Sequence, residues 1–318
     1  MKKLVKLFYY VMFMLISILS FGSNLKEGDF YTLTVLHTND IHGNVEDLPE
    51  YSTLIKQARE NIKNLVVLEG GDIFARGEFE IFGGIPEINM INEMGYDAWV
   101  LGNNDFRLPK DGKLPETDET INNLIAASKQ PTLCGNVIYK KDNTLLKGVE
   151  PYIIKNINGV KVGIIGLTSM KPQDRGYEPD KKFLNAVSSL KAYLKDLDGK
   201  TDINIVLSHC GLAVDTELAK VEGISAIIGA DDHYYMPNPI YWVWNNEKSV
   251  PIVQHGGEEK HVLGRLELIY QQKDGKLKLV DFRGDDYDTK LVEEDEAIRD
   301  IIENYREKLE SLKLKKSA

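Results

Sequence analysis

Short apolar, β-rich runs in this chain stop one after another at clusters of Asp, Asn and His. Residues 31–37 lead into Asp40-Ile41-His42. Residues 65–68 end in Glu69-Gly70-Gly71-Asp72, and residues 98–101 in Gly102-Asn103-Asn104-Asp105. Residues 203–207 end at Ser208-His209, and residues 224–228 in Gly229-Ala230-Asp231-Asp232-His233. Residues 251–253 lead into Gln254-His255-Gly256-Gly257. Runs of four to eight β-branched or aliphatic residues between turn signals read as buried strands. Amphipathic stretches over residues 48–62, 85–94, 120–128 and 182–197 alternate with them, which predicts an α/β domain.

Two features make the sheets mixed. Asn158-Gly159 between residues 151–157 and 160–167 is a strong hairpin signal, and Lys273-Asp274-Gly275 joins residues 264–270 to 277–283. Parallel and antiparallel pairing together fit a two-sheet sandwich better than one doubly wound sheet. Residues 293–316 predict a long charged helix, with Ile298, Ile301, Ile302, Tyr305 and Leu309 as an apolar stripe. That stripe packs on the domain or meets a partner.

The N-terminus reads as a targeting segment. Lys2, Lys3 and Lys6 precede an apolar run from Leu7 to Phe21, and Ser20 and Gly22 put small residues before a cut after Gly22. The expectation is a signal peptide over residues 1–22 and an exported protein, periplasmic or extracellular, with no membrane contact after cleavage. An uncleaved N-terminal anchor is the alternative. The net charge of −10 excludes nucleic acid as a bulk partner, because a surface of that sign repels phosphate backbones. Cys134 and Cys210 read as small buried residues, although a pair is open to them in an exported chain.

In open α/β sheets, sites gather at the carboxyl ends of strands. All six histidines (His37, His42, His209, His233, His255 and His261) sit in or beside the strand-end clusters. Carboxylate, imidazole and amide oxygen without thiolate suit Mn, Zn, Fe or Mg. Asp72, after two glycines that let backbone approach closely, is the natural carboxylate to bridge two cations.

The run Thr34-Val35-Leu36-His37-Thr38-Asn39-Asp40-Ile41-His42-Gly43 closely resembles the opening motif of the calcineurin-like metallophosphoesterases, 5′-nucleotidase branch. Gly70-Gly71-Asp72, Gly102-Asn103, Ser208-His209 and Gln254-x-Gly256 resemble its later blocks. The resemblance covers about residues 31–283. It implies a four-layer α/β/β/α sandwich of two mixed β-sheets flanked by helices, over a domain of residues 28–290, with residues 293–316 as a linker-like helix. It implies two divalent metal ions, one held by Asp40, His42, Asp72, His233 and Gln254, the other by Asp72, Asn103, His209 and Asp231. The implied reaction is hydrolysis of small phosphorylated substrates such as nucleotides by a hydroxide bridging the two metals.

Three positions depart from the family pattern. Asn104 stands where the family places a His that assists the leaving group. Arg107 stands where an Asp orients that His, and Asp231 stands where the fifth block has a His. Asn104 and Arg107 are the candidate catalytic residues: the Asn104 amide can hydrogen-bond a phosphoryl oxygen, and Arg107 either meets phosphate or makes a surface salt bridge. Asn104 has no proton to give a leaving alkoxide. The departures leave open a metal- or phosphate-binding protein of the same fold without useful turnover. Ala318 follows directly on the linker-like helix, so no base clamp is assigned within the sequence. A partner docking on that helix is a further expectation. His255, beside Gln254, is expected to support the site rather than to enter it.

Overall fold

The computed structural model describes residues 25–317, apart from residue 75 and residues 107–116, 175–178, 245–247 and 258–259. The segment 1–22 and Arg107 therefore lie outside the described residues.

Two six-stranded sheets form the centre. The first contains β1 (Phe30–Thr38), β2 (Leu65–Glu69), β3 (Ala98–Val100), β4 (Thr132–Leu133), β13 (Val262–Lys273) and β14 (Lys276–Asp288), in the order β14-β13-β1-β2-β3-β4. The second contains β6 (Tyr152–Ile157), β7 (Val160–Thr168), β9 (Ile203–His209), β10 (Ala226–Ile228), β11 (Ile240–Trp244) and β12 (Lys248–Val253), in the order β11-β12-β10-β9-β7-β6. In the first sheet β1, β2, β3 and β4 run parallel, with β13 and β14 antiparallel at one side. In the second β7, β9, β10 and β12 run parallel, with β6 and β11 antiparallel at the edges. A small ribbon pairs β5 (Val137–Tyr139) with β8 (Lys181–Phe183).

The apolar runs are continuous because both faces of each sheet are covered. Val35, Val66, Leu68 and Val100 meet Ile164, Ile205, Leu207 and Ile228 of the other sheet in one buried core. Their neighbours Leu36, Val67 and Trp99 face the other way, into a core with α1 (Leu48–Asn61), α2 (Ile85–Met94) and α3 (Thr117–Ala127). On the far side Ile165, Val206 and Ile227 pack against α5 (Ala186–Leu197) and α6 (Leu212–Leu218). The result is the mixed α/β sandwich with helices on both outer faces that the sequence leads one to expect.

The helix expected over residues 182–197 begins late. Residues up to Phe183 pair with β5, and Asn185 caps α5 by accepting the Ser188 N–H at 3.0 Å. The final helix, α7 (Glu296–Ser317), buries Ile298 and Ile302 in the first outer core and lays Tyr305 against Phe79 and Phe82. Cys134 and Cys210 are buried free thiols.

Candidate metal centre

Because β1, β2 and β3 run parallel in one sheet and β9, β10 and β12 in the other, their carboxyl ends open on one side. Asp40 and His42 follow β1, Asp72 follows β2, Asn103 and Asn104 follow β3, His209 ends β9, Asp231 and His233 follow β10, and Gln254 follows β12.

Five of these residues have left-handed backbone: Asp40 (φ 55°), His42 (φ 51°), Asp72 (φ 58°), Asp231 (φ 81°) and His233 (φ 57°). They are five of the eight non-glycine residues so placed among the described residues. That conformation is uncommon for side-chain-bearing residues and collects at functional sites, where surrounding contacts enforce it. Gly71 (φ 91°) has its own reason: a Cβ there would lie 2.7 Å from the Val100 carbonyl and 2.8 Å from His209 Nδ1.

The side chains form two interlocking groups, Asp40 with His42 and His233, and Asp40 with Asp72 and His209. His233 Nε2 lies 3.3 Å and His42 Nε2 3.7 Å from Asp40 Oδ1. His209 Nε2 lies 3.4 Å from Asp72 Oδ2, 3.8 Å from Asp40 Oδ1 and 3.8 Å from Asp231 Oδ1. Asp72 Oδ2 is also 3.8 Å from His42 Nε2, so it stands between the groups. These spacings are long for ion pairs. Two atoms each ~2.1 Å from a shared cation stand roughly 3–4 Å apart, which is the spacing found.

Neighbouring groups fix the orientation of these side chains. His209 Nδ1–H donates to the Gly70 carbonyl at 2.6 Å, which turns Nε2 toward the carboxylates. Asn39 Nδ2 donates to Asp40 Oδ2 at 2.7 Å, while its Oδ1 accepts the His255 N–H at 2.9 Å. His255 thus acts on the site through Asn39. Asp105 accepts the backbone N–H groups of Asp72 (3.1 Å) and Gly102 (2.7 Å). Burial, together with the charge of Asp72, raises the Asp105 carboxyl to about 8.

Burial works against an imidazolium at His209, yet the charges of Asp72, Asp40 and Asp231 raise its pKa well above the ordinary range. A buried ring under that pull marks a site short of positive charge, and a divalent cation meets the same demand. Hard oxygen donors and imidazole nitrogens without thiolate fit such an ion. The residues present therefore fit the metals that the sequence suggests.

The other expected ligands are less direct. Asn103 Nδ2 donates to Asp72 Oδ2 at 3.2 Å, and its buried Oδ1 makes no hydrogen bond among the described residues. Gln254 Nε2 donates to the Ala230 carbonyl at 3.2 Å and its Oε1 accepts the Tyr234 N–H at 3.1 Å, which leaves one lone pair on Oε1. Asp231 Oδ1 accepts from Lys171 Nζ at 2.6 Å. The Asn104 amide, expected to face a phosphoryl group, donates to Asp72 Oδ2. Sequence reasoning missed Asn39, Asp105 and Lys171. Asn39 directly precedes the ligand Asp40 and Asp105 lies two residues after Asn103, in the same strand-end clusters; Lys171 follows β7, a strand end with no expected ligand to draw attention to it.

A sequence profile of the family described as Calcineurin-like phosphoesterase matches residues 33–235. The trifunctional nucleotide phosphoesterase protein YfkN of Bacillus subtilis is 30% identical over 278 residues, covering 78% of this chain and 19% of that protein. The snake venom 5′-nucleotidase of Gloydius brevicauda is 28% identical over 285 residues, covering 78% of this chain and 47% of that protein. This chain spans less than half the length of either relative. The crystal structure of the 5′-nucleotidase precursor from Thermus thermophilus superposes with a TM-score of 0.76 at 24% identity, over 89% of this chain and 60% of that one, and so shares the fold. Over the strand ends that carry Asp40, His42, Asp72, His209 and His233, the chain belongs to the calcineurin-like phosphoesterase family.

Proposed function

We propose that this protein is a metal-dependent hydrolase of small phosphorylated compounds, nucleotides among them, working outside the cytoplasm. One observation carries the reading. Five potential ligands from four strand ends of two sheets meet in two groups joined through Asp40. Relatives named as nucleotide phosphoesterase and 5′-nucleotidase support the substrate class. Lys2, Lys3, Lys6 and the apolar run from Leu7 to Phe21 support export. Among the described residues no helix is long and apolar enough to cross a membrane.

In this reading Asp40, His42, Asp72, His233 and Gln254 hold one divalent cation, and Asp72, Asn103, His209 and Asp231 hold the other. Cations held there would supply activation of water and neutralisation of charge on a phosphoryl group. The chain's own residues set the geometry. Gly70 fixes the His209 ring, Asn39 fixes Asp40, and Asp105 holds the Asp72 backbone. Asn104 braces Asp72 and gives no proton to the leaving group. General acid help is worth about 10²–10⁴-fold, so its loss weighs most on alkyl esters and least on anhydrides and aryl esters. Low-pKa leaving groups are therefore the favoured substrates.

The test is hydrolysis of an aryl phosphate monoester and diester by the chain from Ser23 to Ala318, loaded with Mn²⁺. Turnover that falls at least ~100-fold in Asp72→Asn supports the reading. A second reading, ligand binding without turnover, is favoured by the engagement of the Asn104 amide with Asp72. Mn²⁺ uptake with no turnover on either ester, and recovery in an Asn104→His, Arg107→Asp double variant, decides for it.

A further inference from the structure

Lys171 opens the short helix α4 (Lys171–Asp174) after β7 and reaches the ligand groups from the side. Its Nζ donates to Asp231 Oδ1 at 2.6 Å, and the same oxygen lies 3.8 Å from His209 Nε2. The Asp231 backbone is pinned, since its N–H donates to Asp40 Oδ2 at 2.9 Å. The Asp231 side chain is 4% exposed and that of Lys171 41% exposed. The carboxylate therefore belongs to the interior of the site, and the ammonium enters from the solvent side.

Charge governs how this corner fills. Asp40, Asp72 and Asp231 bring three negative charges to it. One divalent cation and the Lys171 ammonium balance them. A second divalent cation beside His209 meets a like charge ~4–6 Å away unless the lysine withdraws. Lys171 can withdraw, because its stem already reaches solvent.

We propose that Lys171 is a built-in competitor for the second cation position. It holds Asp231 while that position is empty and yields the carboxylate when a cation arrives. The two positions then bind cations unequally, and the weaker one lies on the Asp231 side. The displaced ammonium, with its three donors, stands at the solvent side of the site, where it meets an oxyanion of a phosphorylated ligand. This inference rests on the metal reading above and adds what sets the order of filling.

The experiment is calorimetric titration of Mn²⁺ into the metal-stripped full chain, with electron paramagnetic resonance of the bound ions to count coupled pairs. Wild type is expected to take two Mn²⁺ in separate steps. Lys171→Met is expected to tighten the weaker step about tenfold and leave the stronger one unchanged, the size being discounted for a partly exposed lysine. Lys171→Arg keeps the charge and is expected to behave as wild type. A weaker step that stays the same or loosens in Lys171→Met overturns the inference and leaves the metal reading intact. A wild-type chain that takes one Mn²⁺ supports it only if Lys171→Met takes a second, and otherwise overturns it. A chain that takes no Mn²⁺ overturns both.

Discussion

Asn104 holds Asp72 from two sides: its backbone N–H meets Oδ1 at 2.7 Å, and its side-chain amide meets Oδ2 at 2.5 Å. Burial opposes the Asp72 charge, but His209, His42 and this amide outweigh it and keep the carboxyl below its ordinary range. A position that looks like a lost catalytic group thus serves the carboxylate between the two ligand groups. Asn104→Ala removes one charge-assisted hydrogen bond and is expected to cost about 1.5–3 kcal/mol of stability, with weaker Mn²⁺ binding. Asn104→His trades that bond for a proton donor. It is expected to raise turnover of an alkyl phosphate by about 10²-fold while an activated aryl phosphate changes little. Parallel kinetics on the two esters, with chemistry rate-limiting, check this. An equal gain on both would show that the histidine acts by some route other than the leaving group.

The approach of β3 to Asp72 sets a second expectation. A Cβ on Gly102 would lie 2.2 Å from Asp72 Oδ1 and 2.4 Å from the Asp72 backbone nitrogen. The Gly102 N–H is also tied to Asp105. The backbone cannot give way without moving the carboxylate. Gly102→Ala is therefore expected to lower Tm and abolish Mn²⁺ uptake together. Gly95 makes the comparison: its φ is 72°, and among the described residues nothing lies within 4 Å of a Cβ there. Gly95→Ala carries only the backbone penalty of about 1–2 kcal/mol and should leave Mn²⁺ uptake unchanged. Metal uptake lost in both variants would show that global destabilisation, not the contact with Asp72, is responsible.

The strand-end clusters were legible because a ligand-type residue after an apolar run is a local signal. Strands such as β1 and β2 were legible because cover on both faces makes them uniformly apolar. The small β5–β8 ribbon was not, since Lys181 is buried in a strand of only three residues and alternation needs a longer run to be seen. The direction of a side chain was not legible either. Asn104 meets Asp72 across 32 positions and Lys171 meets Asp231 across 60. Pairing over such distances is set by the order of strands in the sheets. The tail helix showed its apolar stripe plainly, but only the fold shows what covers it: Ile298 and Ile302 are buried in the first outer core, and Tyr305 packs on Phe79 and Phe82.

That packing separates apolar from charged contributions in α7. Ile302 is fully buried in the core shared with α1 and α2. Ile302→Ala is expected to cost about 2–5 kcal/mol. Arg306 reaches Glu46 and Glu78 from a side chain 31% exposed, so Arg306→Ala should cost less than about 1 kcal/mol. Denaturant midpoints of the two variants test the ranking. A larger loss in Arg306→Ala would mean that the ion pairs, not the stripe, hold the helix down.

Glu87 makes stability depend on pH far from the ligand groups. It lies in the first turn of α2, fully buried, and neither carboxylate oxygen meets a hydrogen-bonding side chain among the described residues. Burial raises its pKa to about 7, against 4.5 for the free side chain. The folded protein therefore keeps a proton that the unfolded chain releases between those values. Stability contributed by this group is greatest below pH 4.5, falls as pH rises through the window to about 7, and is level above it. The gap corresponds to a loss on the order of 3 kcal/mol at most. Glu87→Gln cannot release the proton, so it should match wild type near pH 5 and exceed it at pH 8. Thermal unfolding of both proteins at the two pH values, with Mn²⁺ present throughout so that the ligand groups contribute equally, measures the difference. Parallel Tm curves for wild type and Glu87→Gln would show that the Glu87 carboxyl is already ionised in the folded state.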